Sequence, residues 1–202
     1  MSARYLSAEV DVAAVRSLVG EVIYPSVSLP GQVFQPPYRS FAFFDYSHLQ
    51  DPECWKSLLG AAGADCVRVI YLDPDFAAFR DAADHPYGLI EIDQSSTLDE
   101  LRTVVTESPT ENFAEAFLYL SPKCLFIPDS KQWILWAHRE VDLAIAAFSN
   151  AGDRQEFIRA TSNWKLLDSV ADAIHFLTAG GGKLSKQFFC DPMIENYSDK
   201  SA

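Results

Sequence analysis

The chain has little of what marks a membrane protein, a metal site or a nucleic-acid binder. None of its 202 residues falls in an apolar run near the ~20 that a membrane-spanning helix needs. The first residues show no basic region followed by a hydrophobic stretch and a small-residue cleavage site, so a cytoplasmic protein is expected. Cysteines are few and scattered: Cys54, Cys66, Cys124 and Cys190 form no C-x-x-C pair and have no histidine at ligand spacing. Buried free thiols are the expectation for them. His48, His85, His138 and His175 stand in separate segments, none with a His or Cys at helical spacing. No G-x-S-x-G nucleophile turn occurs, and Gly180-Gly181-Gly182-Lys183 follows a helical stretch without opening another, which reads as a helix end and not as a phosphate loop. No cofactor is expected.

Basic residues are also short, with 16 Lys and Arg against 28 Asp and Glu, a net charge of −12. No basic patch is interleaved with aromatics, so nucleic acid and anionic membranes are excluded as partners. The imbalance is local. Residues 73–115 hold eleven acidic and two basic side chains, a net −9. Such a field accelerates encounter with a basic protein partner.

What is present is core. Hydrophobic residues make up 49% of the chain and aromatics 13%, enough to fill one large interior at this length. The densest stretch is 113–148, where short alternating or β-branched runs at 117–120, 124–127, 133–136 and 143–148 are split by Ser-Pro, Pro-Asp-Ser and His-Arg-Glu breaks. Strands are expected there, paired antiparallel. Trp133 and Trp136 fall on opposite faces of their strand because side chains alternate with period two.

Before this stretch strands and helices alternate. Ser7 is a candidate cap for a helix carrying Val12, Val15, Val19 and Val22, and Pro25, Pro30, Pro36 and Pro37 make 24–38 an extended loop. Strands are expected at 40–45, 66–72 and 89–92. Asp51-Pro52 opens a helix with Trp55, Leu58 and Leu59, Asp73-Pro74 opens a short one with Phe76 and Phe79, and Thr97 to Glu100 is a capping box. After 148 the pattern turns helical, weakly at 152–160 and strongly at 164–178, and residues 190–202 read as a frayed tail. The whole reads as a single α+β domain over 1–202, with a mixed sheet whose C-terminal half is antiparallel, flanked by helices.

Three functional readings follow. Asp45, Asp73 and Asp93 each close an expected strand, and strand ends of an open parallel sheet converge on a crevice where carboxylates can hold Mg²⁺ for a hydrolase-type enzyme. The proline-rich loop 25–37 offers a surface for an adaptor or scaffold role. The third reading comes from 125–148: an apolar strand, a Pro-Asp turn, Trp133-Ile134-Leu135-Trp136, a His138-Arg139-Glu140 break and a second apolar strand. This pattern resembles a hairpin of bacterial immunity proteins from polymorphic toxin systems, with Ala137 where such hairpins often carry glycine. The resemblance implies a non-catalytic acidic protein that binds a cognate toxin and covers its active site. The charge map places the contact on the acidic belt, at Asp73, Asp75, Asp81, Asp84, Glu91, Asp93, Asp99 and Glu100.

Overall fold

The computed structural model describes residues 3–6, 11–61, 65–73, 75–79, 88–108, 112–120, 123–179 and 184–198, and the statements below concern those residues. Within them, the apolar runs after residue 122 fold as expected into three consecutive strands, β5 (Lys123–Pro128), β6 (Trp133–His138) and β7 (Leu143–Phe148). Earlier in the chain are β1 (Arg4–Tyr5), β2 (Ser40–Asp45), β3 (Cys66–Asp73) and β4 (Leu89–Asp93); a last strand, β8 (Leu166–Leu167), follows. They form one sheet of eight strands in the order β1-β4-β3-β5-β6-β7-β2-β8. The class is α+β with one sheet flanked by helices. The parallel component expected of a mixed sheet is not formed, since every pairing is antiparallel.

Seven helices surround the sheet: α1 (Val12–Val22), α2 (Pro52–Gly60), α3 (Leu98–Thr106), α4 (Phe117–Leu120), α5 (Ala151–Ala160), α6 (Val170–Ala179) and α7 (Asp191–Tyr197). Their starts follow local chemistry. Asp51 accepts from the Glu53 amide with Pro52 in the first turn, and Thr97 and Glu100 close the capping box on α3, each cap contributing about 1 kcal/mol. Asp11 caps α1, while Ser7 lies outside the described residues. The short turn Phe76–Phe79 is opened by Asp75, whose carboxylate accepts from the Ala77 amide, and not by Asp73; Pro74 is outside the described residues.

Alternation along β2 shows how both faces of the sheet are covered. Phe44 meets Phe157 of α5 at 5.9 Å between ring centroids, and Trp133 and Phe148 reach the same ring at 5.1 and 5.3 Å. Phe41 and Phe43 point the other way, onto Tyr197 of α7 at 5.0 and 6.4 Å. Both Trp133 and Trp136 are fully buried, as a sheet covered on both sides requires.

Three expectations are corrected by packing. Residues 117–120 form the single turn α4 and not a strand, because Phe117 packs edge-on against Trp55 of α2 at 4.9 Å and the Ala116 carbonyl accepts from Tyr119 and Leu120. The helix expected over 164–178 begins only at Val170, since Leu166 and Leu167 pair with Phe44 and Phe43. Within the expected tail, residues 191–197 form α7, with Met193 and Tyr197 buried. Tyr197 holds the proline-rich loop, and Gly31 within that loop needs its missing side chain: a Cβ there would stand 2.8 Å from Val27 Cγ1.

Candidate functional site

Antiparallel pairing decides which carboxylates can meet. Asp73 and Asp93 end successive antiparallel strands, and Asp93 pairs with Cys66 at the far end of β3. Seven residues of strand, about 24 Å, separate them. Asp45 does lie at the Asp73 end, but four strand spacings away, about 19 Å. The proposed metal set Asp45, Asp73 and Asp93 is therefore not a site, and no group of three or more potential metal ligands occurs among the described residues.

The acidic belt is dispersed by the same geometry. Glu91 stands between Arg4, at 3.4 Å, and Arg68, at 3.7 Å, on the outer face of β4, so its charge is balanced locally. Asp93 accepts from the Ser95 amide and hydroxyl, Glu100 is engaged by Thr97, and the exposed Asp99 pairs with Arg102 at 3.3 Å. Asp73 and Asp75 sit together at the opposite end, Asp75 paired with Arg16 of α1 at 3.4 Å. Asp81 and Asp84 lie outside the described residues, as do His85 and Gly180 to Lys183.

A different carboxylate group forms where β2, β3 and β6 end and β7 begins. The chain leaves β6 through the turn Arg139–Val141 and enters β7 through Asp142, which adopts the left-handed conformation at φ 54°. The Asp142 carbonyl accepts from the Tyr46 amide at 3.2 Å, which fixes this turn against the end of β2. Partial burial, then the charge of Asp45, raises the Asp142 carboxyl above the usual carboxylate range, with Arg139 opposing. Asp45 pairs with Leu143 across the ladder, which places it beside Asp142.

Two histidines border this group. His48 Nε2 accepts the Lys165 amide hydrogen at 2.6 Å and its ring stacks on Trp164, so the neutral ring carries its hydrogen on Nδ1, facing Cys54 Sγ at 3.9 Å. That arrangement cannot serve as a nucleophile and base. The base nitrogen is occupied by Lys165, and burial pushes the Cys54 thiol up to about 12. Burial also lowers His48, against the charges of Asp45 and Asp51 and with that of Lys165. His138, 3.7 Å from Glu140, is lowered by burial and by Lys123.

Beside the turn lies an open groove of about 560 Å³. Phe176, Leu177, Leu184 and Phe189 give it an apolar wall, Glu140 and Asp142 an acidic rim, and the Lys165 ammonium lies over the Phe176 ring at 5.2 Å. Sequence reasoning missed this site because its parts come from residues 140 to 189, far apart in the chain. One signal was available, a short acid-rich break between two strands, where Asp or Asn is favoured at positive φ. Of the four thiols, Cys54 and Cys124 are buried, while Cys66 and Cys190 are half-buried, a departure from the expectation of buried thiols throughout.

Comparison with protein-family models, with curated proteins and with solved structures gives no match. The site is thus read from its own chemistry. Among the described residues no helix is long and apolar enough to cross a membrane.

Proposed function

We propose that this chain is an acidic binding protein of the immunity class, which neutralises a basic toxin by covering the toxin's active site. The contact surface in this reading is the end of the sheet carrying Asp45, Asp73, Asp75, Glu140 and Asp142, together with the adjoining groove. It takes the place of the single belt from 73 to 115, whose described members fall at both ends of the sheet. The observation that carries the reading is that Asp45 pairs across the ladder with Leu143, next to Asp142, and that Asp142 lines an open groove with an apolar wall. A cation inserted between the two carboxylates relieves their repulsion, and apolar area beside it adds affinity that salt does not screen.

Toxins that act on nucleic acid present basic clefts, and a set of carboxylates can occupy such a cleft as the polyanion does. The net charge of −12 steers the encounter. The test begins with a tagged pull-down from the native cell at low and high salt, followed by an inhibition assay on any stoichiometric basic partner. Charge reversal at Asp73, and separately Asp142→Asn, which keeps the left-handed turn, should each slow association at low salt about threefold or more, with little change in melting temperature. Unaltered association rates at low salt, or a captured partner whose activity is undiminished, would sink the proposal.

A further inference from the structure

A second cavity, of about 300 Å³, lies where the proline-rich loop crosses β2. Its walls are mainly rings: Tyr24, Phe34, Tyr38 and Phe41, with Pro36 at the loop. These walls are fixed before any ligand arrives. Phe34 and Phe41 pack at 5.8 Å, Phe41 lies edge-on to Tyr197 at 5.0 Å, and the Tyr197 hydroxyl donates to the Gly31 carbonyl at 2.8 Å. The volume is at the lower end of the range for small-molecule sites, which suits a body of one or two rings.

The polar groups around it decide the ligand's charge. Gln32 donates to the Asn196 carbonyl at 3.0 Å and accepts from the Phe34 amide at 3.1 Å, and the Asn196 side chain donates to the Pro30 carbonyl at 3.0 Å. Tyr38, its phenol pushed up to about 12 by burial, donates to the Lys131 carbonyl at 3.1 Å. Arg39 and Tyr24 are the lining side chains whose donor groups have no partner among the described residues. A planar guanidinium and a phenol hydroxyl are both donors, and together they match the two oxygens of a carboxylate. The same guanidinium argues against an ammonium ligand in this aromatic cage, because it would place two cations at one mouth.

We infer that this cavity binds a small molecule consisting of an aromatic body and one carboxylate, the rings enclosing the body and Arg39 and Tyr24 holding the carboxylate. The site is separate from the acidic end of the sheet and stands or falls independently of toxin binding. The full chain would be titrated calorimetrically with benzoate, phenylacetate and indole-3-acetate, and with phenylacetamide and benzyltrimethylammonium as neutral and cationic counterparts. At least one acid should bind saturably below about 10 mM and at least tenfold more tightly than the amide. Arg39→Gln, at an exposed position that leaves the core intact, should remove that preference while leaving the melting temperature and the amide's weak binding unchanged, and Arg39→Lys should restore part of it. Lack of saturable binding by all three acids, equal affinity for acid and amide, indifference to Arg39→Gln, or preference for the quaternary ammonium would each overturn the assignment.

Discussion

The hydroxyl of Tyr197 accepts the amide hydrogen of Val33 at 2.9 Å, joining residues 164 positions apart, and both are almost completely buried. This bond and the one to Gly31 make the C-terminal helix the clamp on a loop whose four prolines donate no backbone hydrogen bonds. Tyr197→Phe keeps the ring contacts with Phe41 and Phe43 but leaves the Val33 N–H without its acceptor. The expected cost is about 1–3 kcal/mol, measured by urea unfolding, with faster amide exchange in the 24–38 loop than elsewhere. A loss under about 0.3 kcal/mol would mean that solvent replaces the hydroxyl freely.

Asp142→Asn should be neutral or stabilising by a few tenths of a kcal/mol at pH 7, discounted for the carboxylate's exposure to solvent. Asparagine accepts the left-handed conformation at φ 54° and removes the repulsion with Asp45. The sign is definite: a carboxyl raised in the fold binds protons more tightly there than in the unfolded chain, so its ionisation weakens the fold as pH rises above the ordinary 3.8. The difference between wild type and variant should therefore vanish at pH 3 and reach its full size above the folded pKa. Chemical denaturation at the two pH values measures it, and a variant less stable at pH 7 would count against the crowding argument.

The histidines give the opposite slope. His48 is lowered from 6.5 by burial, so as pH falls the unfolded chain takes up its proton first. Stability is complete above 6.5 and is lost as pH falls from there toward the folded value; His138 adds a contribution of the same sign. Protonation would also remove the acceptor that Nε2 offers to the Lys165 amide. His48→Gln should flatten the dependence of unfolding free energy on pH between 5 and 7 while leaving the remaining His138 slope. A slope unchanged in the variant would show that the ring titrates alike in both states.

Trp133 and Trp136 are both fully buried on one strand, yet they should respond differently to phenylalanine. Trp133 Nε1 donates to the Ala61 carbonyl at 3.0 Å, whereas Trp136 Nε1 has no acceptor among the described residues. Both substitutions lose comparable packing; only Trp133→Phe orphans a buried carbonyl. Trp133→Phe is expected to be the more damaging by about 1 kcal/mol. Equal effects in thermal or urea unfolding would show that the Ala61 bond contributes nothing.

The elements with strong local signals were legible from residues alone. Cap chemistry at Asp51-Pro52 and Thr97 to Glu100 marks α2 and α3, and the uninterrupted apolar runs Phe41 to Phe44 and Leu143–Phe148 mark buried strands. Phe117 to Leu120 misled because four apolar residues satisfy either period, and the decision falls to Trp55 across the core. Leu166 and Leu167 form a strand only because Phe43 and Phe44 offer them an edge. The candidate site was less legible still. Composition showed that carboxylates abound, but strand direction, which no local pattern carries, sent Asp73 and Asp93 to opposite ends and brought Asp142 toward Asp45.

The sheet is bounded by β1 and β8, each only two residues long as described. Between them run six strands of mostly buried side chains, the kind of surface that recruits other extended segments when its margin is open. Among the described residues, neither edge strand offers more than a pair of residues to template another chain. Self-association by continuing the ladder is thereby suppressed, and so is capture of a partner by strand addition. Short edges of this kind favour recognition by side chains and pockets, where specificity is written in exchangeable surface residues and can change without disturbing the sheet beneath.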